Sequence, residues 1–335
     1  MYSEKERNFL SLFVFDRHFL TGPLLDASSE VTVAFITGGL GQFNNAIFPR
    51  SSGCSLPPSH GYRNGHVLFT TLEPRPRIAS CGGVNDTRIT ESCLLLNQET
   101  QTWEGNIMSD LVLRRRDHAV VSLNNIGTFI LGGWESSDAG WTTDFLAQGS
   151  LEWVAGARLP LSMWGGHCAV QISPLSFLAI VYGNIREYLV NVDNPVSDNG
   201  WQDGSKWPRL KAARSGFGCT MINKKVVIAG GYDWALSLNS KTIQSTEILD
   251  IETRKIEYAG DLNKSRSMFH IVTITSGGIE RVLALGEYDY DSRTYYNSVE
   301  EFNAETLTWS LTPEIFGGRR SFGAVAVPKS YFCQT

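Results

Sequence analysis

Apolar and polar residues alternate in short bursts along this chain, and six of the apolar bursts end alike. Residues 33–39 (VAFITGG), 77–83 (RIASCGG), 128–133 (TFILGG), 178–184 (LAIVYGN), 225–231 (KVVIAGG) and 281–287 (RVLALGE) are runs of strand length closed by a glycine turn. Short runs rich in β-branched and aromatic residues, bounded by glycine, predict buried strands rather than helices. The turn positions 38, 82, 132, 182, 230 and 286 fall 44 to 56 residues apart. A repeat of that length marks one supersecondary unit copied along the chain.

Two further markers ride on the same period. A polar turn followed by an aromatic comes after the later glycine turns: ETQTW ending at Trp103, GSLEW at Trp153, then Trp201, and ETLTW at Trp309; after ETRK the place is taken by Ile256. Ahead of the glycine strands, an arginine is followed three residues on by His or Phe: Arg63 and His66, Arg115 and His118, Arg214 and Phe217, Arg266 and Phe269, Arg319 and Phe322. In the fourth unit Trp164 is read in the arginine's place, with His167 after it. Each unit therefore holds four short strands. Strand A is opened by the arginine, B is ended by the glycine, C precedes the polar turn and D begins at the aromatic.

A four-stranded sheet cannot bury both faces alone, so such units stack radially around a channel; the expected fold is an all-β, six-bladed β-propeller. Its ends are offset. Val33 opens a B strand with no A strand before it, and the last arginine opens an A strand at 321–327 with no B strand after it. Pairing those two strands closes the ring and removes the open sheet edges. The propeller then spans 31–328, after an extension at 1–30 and before a tail at 329–335.

Composition narrows the function classes. The chain has 335 residues, 42% hydrophobic and 19% charged, with a net charge of −5. That balance belongs to a folded globular chain. Mild acidity argues against a nucleic-acid binder, which needs a basic stripe. No apolar run approaches the ~18 residues of a membrane-spanning helix. Residues 8–20 (NFLSLFVFDRHFL) are apolar but broken by Asp16, Arg17 and His18. They read either as a degraded or truncated signal segment or as an extension without targeting meaning.

The cysteines bear on the compartment. Cys81 ends a B strand and Cys93 starts the C strand beside it, which suits a cross-strand disulfide, with Cys54 a competing partner. Cys168 and Cys219 lie in A strands and read as small core residues. Two glycosylation acceptor triplets, 85–87 (NDT) and 263–265 (NKS), fall in expected loops. These features lean toward an extracellular, oxidising setting, with a cytoplasmic one as the alternative.

The glycine turns, the ETxTW segments and the Arg-x-x-His openings resemble the kelch-repeat β-propeller family over nearly the whole chain. In detail, 53–58 (GCSLPP), 80–83 (SCGG), 91–94 (ESCL) and 324–332 (AVAVPKSYF) are similar to secreted or cell-surface kelch proteins of aquatic invertebrates. Departures are Gly183-Asn184 and Gly286-Glu287 in place of glycine pairs, and Ile256 in place of tryptophan. The resemblance implies strand A at the channel and the B–C and D–A loops on one face. It also implies, by analogy with intracellular kelch adaptors, arginines that grip acidic motifs.

The candidate chemistry follows from that placement. Arg63, Arg115, Arg214, Arg266 and Arg319 are expected to ring the channel mouth, where planar guanidinium groups suit carboxylates. The competing reading is that each holds its own blade by bonding loop carbonyls. Trp134, Tyr232, Trp234 and Tyr288, in B–C loops, would add the aromatic anchors typical of binding hot spots. On this reading, alanine at Arg63, Arg115 and Arg214 abolishes partner capture and leaves the melting temperature nearly unchanged.

His66, His118 and His167 share one repeat position, and equivalent positions around a ring lie too far apart for several short metal–nitrogen bonds. No G-x-S-x-G, H-E-x-x-H or P-loop pattern appears, and no cofactor is expected. The expected function is a non-enzymatic scaffold for a protein or peptide partner, an acidic one on the arginine reading. A copper-oxidase-like kelch enzyme and an extracellular carbohydrate-binding module are the alternatives.

Overall fold

The computed structural model describes residues 31–41, 44–71, 76–86, 88–135, 138–233, 241–312 and 317–333. In it every glycine-closed run is an interior strand of an antiparallel sheet. Thr32–Thr37 lies between Gly323–Pro328 and Ala46–Phe48. Ile78–Cys81 lies between Val67–Thr70 and Cys93–Asn97, with Thr102–Glu104 outermost. The next sheet runs Ala119–Leu123, Gly127–Leu131, Thr143–Ala147, Trp153–Ala155. After it come the three-stranded Cys168–Ser173, Ser176–Val181, Asn184–Leu189 sheet and the four-stranded Gly218–Ile222, Lys225–Ala229, Thr246–Asp250, Ile256–Ala259 sheet. The last runs His270–Ser276, Ile279–Asp289, Thr294–Asn303, Thr308–Leu311. The fold is all-β and of β-propeller type.

The interior strands are buried on both faces, which is why they read as continuous apolar runs and not as alternating ones. The core lies between successive sheets: Phe129 and Leu131 of one sheet pack in one cluster with Phe177 and Ala179 of the next. Trp153 fills such a wedge, its ring edge-on to Phe69 of the preceding sheet at 5.8 Å. Trp201 packs its ring on Tyr188 and Phe177, but its backbone joins the fourth sheet only by an isolated bridge to Tyr188, so that sheet has three strands.

The first and last described long strands are neighbours in one sheet. Thr32 to Thr37 pair antiparallel with Pro328 to Gly323 along the whole strand. Around the axis runs a cycle of backbone hydrogen bonds between successive strand-A openings. Gly65 N–H donates to Ser321 O, Asp117 to Gly65, Gly166 to Asp117, Gly216 to Gly166, Met268 to Gly216, and Ser321 to Met268, at 2.6 to 3.2 Å. All six donors have φ between +51° and +64°. Glycine takes that conformation freely, whereas Asp117, Met268 and Ser321 hold it at a steric cost.

All six cysteines are paired, in Cys54–Cys333, Cys81–Cys93 and Cys168–Cys219. Two of these pairings correct the sequence reading. Cys54 does not compete for Cys81 or Cys93, because it faces the C-terminal segment. Cys168 and Cys219 are not isolated core thiols; neighbouring A strands bring them together across the channel wall. The segment after Pro328 is likewise more than a tail: Phe332 is buried against Phe35, with ring centroids 4.8 Å apart. The Cys54–Cys333 bond spans 279 residues of sequence, so it removes much chain entropy from the unfolded state. Cys333→Ser should lower the melting temperature measurably without added reductant, and an unchanged Tm would mean that strand pairing alone secures the ends. The extension at 1–30 lies outside the described residues.

Candidate functional site

The five repeat arginines do not line an open mouth, and this corrects the sequence reading. Arg63, Arg115, Arg214, Arg266 and Arg319 are at most 4% exposed. Each guanidinium turns into its own sheet and donates to the carbonyl of the first turn residue. Arg115 Nη1 reaches Gly132 O at 2.6 Å, Arg214 Nη1 reaches Gly230 O at 2.9 Å, and Arg266 Nη1 reaches Gly286 O at 2.9 Å. Arg63 Nη1 reaches Gly82 O at 3.0 Å and Arg319 Nη1 reaches Gly38 O at 3.4 Å.

In three sheets a buried carboxylate on strand C completes the clamp. Arg115 pairs with Asp144 at 3.1 Å, Arg214 with Glu247 at 2.8 Å and Arg266 with Glu300 at 2.6 Å. The same carboxylates accept from the incoming D–A loop: Val112 N–H on Asp144, Lys211 and Ala212 N–H on Glu247, Asn263 and Lys264 N–H on Glu300. The arginine's own carbonyl then binds the preceding sheet, as in Gly83 N–H to Arg115 O and Gly231 N–H to Arg266 O, both 2.8 Å. Burial lowers the pKa of Arg63 and Arg319 to about 10, at Arg63 against the opposing pull of Asp110. The carboxylates were missed in the sequence; their signal is a Ser or Thr two residues before the acid, in Thr142-Thr143-Asp144, Ser245-Thr246-Glu247 and Ser298-Val299-Glu300.

The His or Phe of the same motif explains the glycine turn. A Cβ on Gly82 would stand 2.5 Å from His118 Cε1, and one on Gly230 would stand 2.8 Å from Phe269 Cε1. The ring of one unit therefore lies on the bare turn of the unit before it. In the fourth unit Met163, not Trp164, fills the arginine's place: Gly133 N–H donates to Met163 O at 2.8 Å. Trp164 sits one residue on and is 49% exposed.

That next position is where the face becomes chemical. The residue after the clamp bridges the B–C loop: Arg116 to Trp134, Ser215 to Tyr232, Ser267 to Tyr288 and Arg320 to Leu40. Two units carry a second arginine there, and both side chains lie on aromatic faces. The Arg116 guanidinium is 4.4 Å from the Trp134 ring centre, and Trp134 is 43% exposed. The Arg320 guanidinium is 3.9 Å from the Tyr288 ring centre and 5.6 Å from those of Tyr290 and Tyr295. Tyr232 completes that cluster, 4.7 Å from Tyr290.

Between the two arginines lies Asp117, a member of the axial hydrogen-bond cycle. Its Oδ2 is 3.6 Å from Arg116 Nη1. Burial raises its pKa against the pull of Arg116 and then Arg320. Burial likewise raises the Tyr290 hydroxyl, with Arg320 opposing. Arg116 Nε is buried without a hydrogen-bond partner among the described residues, and the Arg320 guanidinium lies over three tyrosine rings. Beneath the mouth is an axial cavity of about 260 Å³ that Asp117, His118, Phe217, Phe269 and Ser321 help to line.

Of the residues expected on this face, Trp134, Tyr232 and Tyr288 sit there together, while Trp234 lies outside the described residues. Arg116 and Arg320 were missed, although the doublets Arg115-Arg116 and Arg319-Arg320 stand in the sequence. His66, His118 and His167 are buried between sheets, and among the described residues no cluster of His, Cys, Asp or Glu is arranged to hold a metal. No described helix is long and apolar enough to cross a membrane.

No family model matches the chain, and no curated protein matches it. Among solved structures it is similar to one described as "Structure of YjhT", a kelch-like β-propeller-type fold, with 11% identity and a TM-score of 0.64. The match covers 85% of this chain and 95% of that one. At such identity the likeness bears on the fold alone.

Proposed function

We propose that this chain is a six-bladed kelch-type propeller, closed by its last strand, that works as a non-enzymatic scaffold binding a protein or peptide at the B–C and D–A loop face. The count and the closure are supported by the six-member cycle of backbone bonds and by the pairing of Thr32–Thr37 with Gly323–Pro328. The three disulfides support an oxidising, extracellular setting.

The observation that carries the binding reading is the pair of guanidinium groups stacked on Trp134 and on Tyr288 at one face. Stacking orders a long side chain in advance and leaves its planar edge for an acceptor. Tyr, Trp and Arg gathered at one mouth are the residue types that dominate binding hot spots. The partner is accordingly expected to present carboxylates.

Selection of a displayed random 12-residue peptide library on the full chain tests this. Selected peptides should lose at least tenfold in affinity for Arg116→Ala and for Arg320→Ala, with Tm close to wild type. Undiminished affinity in both variants would remove the reading.

A further inference from the structure

Asp117 stands where an anionic ligand would have to go, and this bears on what the face accepts. Resting on the binding reading above, we propose that Asp117 is the specificity-determining residue of the mouth: it rejects closely spaced acids and selects a carboxylate flanked by a hydrogen-bond donor.

The Asp117 backbone is fixed, because its N–H and C=O both belong to the axial cycle, to Gly65 O at 2.7 Å and from Gly166 N at 3.2 Å. Its carboxylate is thereby held at the lip and cannot swing away with a loop. A Cβ on Gly65 would lie 2.8 Å from Asp117 Oδ1, so the glycine of the neighbouring unit makes room for the side chain. Arg116 and Arg320 flank it, and both act on its charge.

The arrangement is cation, anion, cation. A ligand carboxylate that reaches an arginine edge brings its neighbouring groups against Asp117. A second carboxylate there meets a like charge at a half-buried site, where repulsion is strong. A hydroxyl or amide N–H there donates to Asp117 instead, and the gain is that of a hydrogen bond to a charged group. Selectivity thus arises from a repulsive element as well as an attractive one. Trp134 and Trp164, both exposed beside Gly165, supply apolar walls indifferent to charge.

The test uses two fluorescein-labelled peptides, amidated at the C-terminus: hexaglutamate and the alternating (Glu-Ser)3. Wild-type protein should bind (Glu-Ser)3 at least threefold more tightly, although bulk electrostatics favours the more highly charged hexaglutamate. Asp117→Asn should reverse the order and tighten hexaglutamate at least tenfold. Asn tolerates positive φ, so the backbone cycle is expected to survive the change. Equal preference in the two proteins, or no binding to either, overturns the role of Asp117. Library-selected peptides that still depend on Arg116 and Arg320 would at the same time keep the binding face.

Discussion

Arg214→Ala should destabilise the protein by about 3–5 kcal/mol, the range seen when one partner of a buried ion pair is removed. The substitution leaves the Glu247 carboxylate, wholly buried, without its guanidinium. It also strips the donor from Gly230 O and Ser245 O. A typical domain has only about 5–15 kcal/mol in hand, so much of the chain should be unfolded at moderate temperature. Arg115→Ala should behave alike, because Asp144 is equally enclosed. The exposed pair Lys224–Glu252 is the internal control, and Lys224→Ala should leave the melting curve in place. Urea titration of the variants decides the matter. A midpoint for Arg214→Ala close to wild type would mean that the clamp is not structural and would return the arginines to the binding face.

This outcome is the reverse of what spacing alone suggests, and the reason is physical. A residue repeated in five units is what each unit needs to hold together, and here each unit needs a cation to satisfy turn carbonyls and a strand-C acid. Function sits where the repeat is broken. Arg116 and Arg320 occupy positions that hold serine in two other units, Ser215 and Ser267, and there the arginine stands outside the clamp and lies on an aromatic ring of the loop face. The glycine-closed runs were legible because strands buried on both faces are apolar without interruption. The pairing of the chain ends was legible because a strand was missing at one end and surplus at the other.

What sequence did not disclose depends on distances between units. Nothing in the spacing of Cys54 and Cys333 brings them together until the C-terminal segment is seen to run back along Phe35. Cys168 and Cys219 are neighbours only because adjacent A strands converge on the axis. The displacement of Trp164 by Met163 follows from one extra residue, Gly165, between clamp and histidine. A one-residue shift moves a large side chain from the buried interface to the open face, and no propensity records it. Asp117 was invisible for a different reason. It looks like an ordinary turn residue, and only its fixed backbone and its two flanking arginines give it a role.

The histidines set a second large effect, on acid stability. Burial holds His60, His167 and His270 at about 4 and pushes His66 and His118 well below 6.5, neighbouring positive charges adding to the shift at all but His270. In the folded chain all five stay neutral well below the pH, near 6.5, at which they take up protons in the unfolded chain. The unfolded state therefore binds more protons throughout that window, so stability falls as pH drops from about 6.5 toward 4. The five groups act in the same direction, so their effects on stability add. Asp117 and Asp144, whose pKa values burial raises, act in the opposite sense but are only two. Thermal melts should therefore show a steep loss of Tm between pH 6.5 and 4.5. His66→Phe should flatten that loss. Phe already fills the same repeat position at Phe217, Phe269 and Phe322, and among the described residues neither His66 ring nitrogen has a hydrogen-bond partner to lose. A Tm that holds constant from pH 7 to 4.5 in the wild type would show that the imidazoles are charged in the fold, which would require a different account of how they lie against the glycine turns.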